Sequence, residues 1–121
     1  MRIGNQEYKL SYGLGALSKI EEALEEKGKT LDNIEFLFQG KGKLKNIIWV
    51  VMLGVNNTIR RNNILENKET KLFDEDSLGV LIDVTNFKSL IQEVREAMSV
   101  SNTSKLKEES GTEEKNMTGI G

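Results

Sequence analysis

The chain contains no histidine and no cysteine. The first absence removes the side chain best suited to acid/base work near neutral pH, and the second removes the usual nucleophilic thiol. Together they take away the common zinc ligands, and without cysteine there are no disulfides. Carboxylates, lysines and serines remain, but at spacings that serve helix solubility. A dominant charge is also missing. The formal net charge is -2 with both signs mixed, so no field over the whole domain favours a polyanion such as nucleic acid. The polar, alternating start from Met1 to Leu10 lacks the basic and apolar stretches of a secretory signal, so export is not expected. The Asn-x-Ser/Thr matches at Asn56, Asn102 and Asn116 then have no secretory context for glycosylation. A membrane helix needs about 20 apolar residues, and the run Ile47 to Leu53 falls well short of that between Lys45 and Arg60. These absences predict a protein that is not an enzyme, uses no cofactor or metal, and works by binding another protein.

What is present fits one domain, since 121 residues are enough for one core and too few for two. The expected fold is α+β and mostly α: an N-terminal β-hairpin (1–12) packed on a bundle of about five helices (13–100), followed by a flexible polar tail (101–121). In the hairpin, Gly4-Asn5 is turn-prone and Tyr8, Leu10 and Tyr12 alternate with Glu7, Lys9 and Ser11, giving one apolar and one wet face. From Leu14 to Glu26 the spacing becomes helical, with Leu14, Leu17, Ile20 and Leu24 on one face and Lys19, Glu21, Glu22, Glu25 and Glu26 outside. Gly28 supplies a stop, Thr30 a cap for a short helix Leu31 to Phe38, and Gly40-Lys41-Gly42 its end.

Leu44 to Val55 is the most hydrophobic stretch and the expected centre of the core. Its β-branched content leaves a strand open, but its length favours a helix. The Asn-rich stretch Asn56 to Phe73 is expected to be a helix end and then a surface loop. Asp74-Glu75-Asp76 suits the start of a short helix through Ile82. Thr85 or Asn86 can cap a last helix striped by Phe87, Leu90, Ile91, Val94, Ala97 and Met98. After Val100 the composition turns to Ser, Thr, Asn, Lys, Glu and Gly, too polar to offset its ordering entropy.

Three patterns invite chemistry and are better explained without it. Gly13-Leu14-Gly15 precedes a helix but lacks the rest of a phosphate-binding fingerprint, so it reads as a turn. The carboxylate clusters Glu21-Glu22 with Glu25-Glu26, and Asp74 to Asp76, lack the alternation, central Gly and terminal Glu of a calcium loop. Trp49 lies inside the apolar run and reads as core. Phe36-Leu37-Phe38 offers more apolar surface than a short helix needs, leaving one member for a partner helix or for self-association. Lys41, Lys43 and Lys45 before the apolar helix, with Arg60-Arg61 after it, support an alternative, a small DNA-binding regulator. No aromatic platform or helix-turn-helix pattern accompanies them, and solvation of the helix ends explains the same charges.

The opening Ile3-Gly4-Asn5-Gln6-Glu7-Tyr8-Lys9-Leu10-Ser11-Tyr12-Gly13-Leu14-Gly15-Ala16-Leu17, the acidic first helix, and Leu81-Ile82-Asp83-Val84 before the helix from Phe87 resemble the tail assembly chaperones of long-tailed, siphovirus-like phages and prophages. The resemblance covers the layout of residues 1–100 and is carried by patterns of apolar positions. It implies a small, mostly helical protein of the bacterial host cytoplasm that binds the tape measure protein during assembly and is left out of the mature virion. It also implies short and frameshift-extended forms, the extension reaching the tail tube protein, with the junction in the tail after Val100. Glu113-Glu114-Lys115-Asn116 is compatible with an A-rich coding run. The family has no catalytic residues to carry over. Helix-in-groove binding of an apolar tape measure segment would use Phe36, Leu37 and Phe38 together with the edges of the stripe Phe87, Leu90, Ile91, Val94 and Met98.

Overall fold

The computed structural model describes residues 1–82 and 87–110, with residues 100–110 described by their backbone. The protein is mostly helical with a small N-terminal antiparallel hairpin, as the patterning predicts. Strands β1 (Arg2–Ile3) and β2 (Gln6–Glu7) pair with Arg2 opposite Glu7 and Ile3 opposite Gln6. Gly4 takes φ 62 at the first turn position, which the right-handed twist of a two-residue hairpin demands. The Met1 ammonium and carbonyl exchange hydrogen bonds with the Tyr8 carbonyl and amide, extending the pairing by one step. The ladder then ends, earlier than the alternation suggests. Leu10 and Tyr12 still face inward, buried, while Lys9 faces out.

Helix α1 (Leu14–Glu25) buries Ala16, Leu17, Ile20 and Leu24. Leu14, expected on that face, is 68% exposed because it starts the helix beyond the edge of the core. The short helix expected at Leu31–Phe38 is present as a 3-10 helix, broken at Asn33 (φ -103, ψ 29). There Asn33 Oδ1 accepts from the Thr30 amide and hydroxyl, a side-chain bond that competes with regular helix at the first turn.

Helix α2 (Lys43–Glu66) is the hub of the protein, touching α1, the 3-10 segment, α3 and α4. It buries Ile47, Val50, Val51, Leu53, Val55 and Ile59, so the apolar run is a helix and the core is built on it. Trp49 is half-buried against that core. The expected end near Asn56 is corrected: α2 continues to Glu66, where Asn67 caps it in a left-handed conformation. Between Val55 and Glu66 no Gly or Pro interrupts it, and the polar side chains that argued for a loop bond to distant backbone instead of unwinding their own. Asn56 Oδ1 accepts from the Phe73 amide, and Asn56 Nδ2 donates to the Phe73 carbonyl, both at 2.9 Å. Asn63 does the same to Thr70 at 3.1 and 3.0 Å. Two helical turns separate these asparagines, so they share a face and draw the returning chain back along α2.

Helix α3 (Glu75–Leu81) starts at Asp74, whose carboxylate accepts from the Ser77 amide at 2.7 Å, and it buries Leu78. Helix α4 (Phe87–Ser110) buries Leu90, Val94 and Met98. Its proposed cap, Thr85 or Asn86, lies outside the described residues. So does the tail from residue 111 onward. The helical backbone of α4 runs on to Ser110, into the stretch expected as tail: each added residue gains a hydrogen bond once a helix exists, and the first glycine comes at Gly111. No helix among the described residues is long and apolar enough to cross a membrane.

Candidate partner-binding surfaces

The hairpin strap and α2 are joined closely. The Tyr12 hydroxyl donates to the Val50 carbonyl at 2.9 Å, and the Ser11 amide to the Gly54 carbonyl at 3.2 Å. Thr58 Oγ1 donates to the Lys9 carbonyl at 2.6 Å, and Asn57 Nδ2 to Ser11 Oγ at 2.8 Å. A Cβ on Gly54 would lie 2.6 Å from the Tyr12 ring, so glycine there lets the ring lie against the helix. Burial raises the Tyr12 pKa above the ordinary tyrosine value. The groove beside this strap, lined by Met1, Lys9, Leu10, Glu93 and Ala97, carries acidic groups, of which Glu93 is paired with the Met1 ammonium at 3.1 Å.

Of the residues expected to meet a partner, the structure places most in the core. Leu37, Phe38, Leu90, Val94 and Met98 are buried, and Phe87 and Ile91 are half-buried. This corrects the expected surface: the middle of the α4 stripe, Leu90, Val94 and Met98, is spent on packing in the core. Phe36 alone of the set is exposed, at 40%. Side chains three apart eclipse in a 3-10 turn, so Ile34 and Leu37 share the inner side and Phe36 stands off it.

The segment that presents Phe36 is tied down on every side. Asn46 Nδ2 donates to the Leu37 carbonyl at 3.1 Å, anchoring it to the first turn of α2. Arg95 on α4 makes a bidentate ion pair with Glu35, Nε to Oε2 at 2.8 Å and Nη2 to Oε1. This pair ties the Phe36 segment to α4. Lys29 Nζ lies 5.1 Å from the Phe36 ring centroid, a cation–π contact. An open groove of about 410 Å³ beside the ring is lined by Lys27, Gln39, Gly40, Lys41 and Asn46.

The basic groups of the alternative reading do not form one patch. Lys43 and Arg60 lie on one straight helix, 17 steps of about 1.5 Å, or about 25 Å, apart. The carboxylates do not gather either. Glu21, Glu22, Glu25 and Glu26 are exposed along α1, and the Asp74 carboxyl is held below its ordinary pKa by its bonds from Ser77. Among the described residues no group of three or more acidic, His or Cys side chains could hold a metal ion. The exposed end of α2, with Arg60, Arg61, Ile64 and Leu65, is not legible as a helical ridge where the sequence reads as a surface loop; the absence of any helix breaker after Val55 is the signal for it.

Comparison with protein-family models, with curated proteins and with solved structures finds no match to this chain.

Proposed function

We propose that this chain is a tail assembly chaperone of a long-tailed phage or prophage, which acts without catalysis by binding the tape measure protein in the bacterial host cytoplasm. In this reading it shields the tape measure protein until the tube encloses it, and a frameshift-extended form helps recruit the tail tube protein. The order of elements supports the reading: a hairpin, an acidic first helix, a long apolar helix and a late amphipathic helix. The observation that carries it is Phe36, a large exposed aromatic ring on a segment fixed by the Glu35–Arg95 and Asn46–Leu37 contacts. An aromatic anchor held rigid in advance lowers the ordering cost of binding an apolar helix face, and the lysines around it set orientation and allow release.

Co-expression with the tape measure protein of the same gene cluster tests this. The expected outcome is a higher soluble yield of that protein and its co-purification with this chain, both reduced by Phe36→Ser. Unchanged yield with no co-purification would overturn the proposal. A tail tube gene upstream and a very long helical reading frame downstream would support it independently.

A further inference from the structure

The last turns of α2 are fastened to the returning chain through Asn63 and Thr70, but they leave Ile64 and Leu65 uncovered. Ile64 is 80% exposed and Leu65 66%. With Asn57, Arg60 and Arg61 they line an open groove of about 340 Å³. Helical spacing places Asn57, Arg61 and Ile64 on one face, and Thr58, Arg61 and Leu65 on the adjoining one. One turn earlier this surface is covered, because Asn57 and Thr58 hold Ser11 and Lys9. Beyond that point the strap has passed and the same ridge continues bare.

Its electrostatic setting is one-sided. Arg60 and Arg61 are exposed and make no ion pair among the described residues. No acidic residue occurs in α2 before Glu66, and Glu66 is paired with Lys68 at 2.9 Å. Lys19 joins Arg60 along the neighbouring groove between α1 and α2. Leu14, also exposed, follows Gly13, which abuts the Asn57 side chain.

We propose that this end of α2 docks an amphipathic helix of another protein, one whose apolar stripe is flanked by acidic residues. A helix fits because the backbone of α2 is satisfied internally and has no edge for a strand to join, whereas its ridges at four-residue spacing accept those of another helix. Acidic flanks fit because Arg60 and Arg61 border the apolar ridge without a partner of their own. The α1 of a second copy suits the site poorly: its exposed face carries Glu21, Glu22, Glu25 and Glu26, while Leu17, Ile20 and Leu24 are buried. The site lies at the far end of α2 from Phe36, so it stands or falls separately from the function proposed above.

A fluorescein-labelled helical peptide of about 20 residues, with a leucine stripe flanked by glutamates, tests it by anisotropy titration with the full chain. Saturable binding is expected, weakened by added salt and absent for the same peptide with lysine in place of glutamate. The pairs Arg60→Glu/Arg61→Glu and Ile64→Ser/Leu65→Ser should each weaken it about tenfold or more. All four side chains are exposed, so both variants should melt as the parent does by circular dichroism. Absence of saturable binding, equal binding of the two peptides, or indifference to both variants would overturn the proposal. So would a dimer in sedimentation that Ile64→Ser/Leu65→Ser converts to monomer, because the occupant would then be a second copy.

Discussion

Gly54 and Tyr12 form the closest approach between the hairpin strap and the core helix, and each can be altered by a few atoms. A methyl group at position 54 would meet the Tyr12 ring at 2.6 Å. The ring cannot swing aside without breaking its bond to the Val50 carbonyl. Gly54→Ala is therefore expected to destabilise the protein by about 1–3 kcal/mol, overpacking outweighing the helix preference of alanine, measured as a lower urea midpoint with unchanged slope. Tyr12 also sets an alkaline limit. Its folded pKa is raised by burial, so the stability it contributes is present in full below the unfolded tyrosine value, about 10, and is lost as pH climbs above it. Tyr12→Phe cannot ionise. It should be less stable than the parent by about 1 kcal/mol at neutral pH and should lose less as pH rises past about 10, a crossover visible in thermal melts. Equal pH profiles would sink this account.

At the scale of elements, the apolar runs were legible and their polar ends were not. The switch from alternation to helical spacing after Tyr12, the uninterrupted run Ile47 to Leu53 and the acidic start at Asp74 each reflect a local rule, and the structure follows them. Asn56 to Phe73 misled because asparagine favours turns only where its side chain bonds nearby backbone. Here Asn56 and Asn63 reach Phe73 and Thr70, residues brought close by the return of the chain, which no local pattern announces. Asn56→Ala would leave two half-buried backbone groups of Phe73 without their partner, at a cost of about 1–3 kcal/mol. Asn56→Asp keeps the acceptor and loses the donor, so it should not rescue. Asn63→Ala exposes its partners to water and should cost less. Urea unfolding of the three variants gives the ranking.

At the scale of the whole molecule, residues competed for the same role. Phe36, Leu37 and Phe38 are alike in sequence, and only packing decides that two are core and one is surface. The α4 stripe was legible as an apolar face but not as one already buried in the core, since a stripe made for a core and one made for a partner have the same periodicity. The distinction is measurable. Leu37→Ala should cost about 2–5 kcal/mol, while Phe36→Ala, losing a partly exposed ring and its contact with Lys29, should cost less than about 1 kcal/mol. Thermal or urea unfolding of this pair tells anchor from surface, and a large loss at Phe36 would remove the aromatic handle from the proposed function.

Asn56 and Asn63 also bear on how the chain would look to hydrogen exchange. The Thr70 and Phe73 amides lie in no helix or sheet, yet each donates to an asparagine side chain, while the Lys71 and Leu72 amides between them have no such acceptor among the described residues. Exchange should be slow at 70 and 73 and fast at 71 and 72, a pattern belonging to neither ordered secondary structure nor free loop. Its loss at position 73 alone in Asn56→Ala would show that the two fastenings open independently.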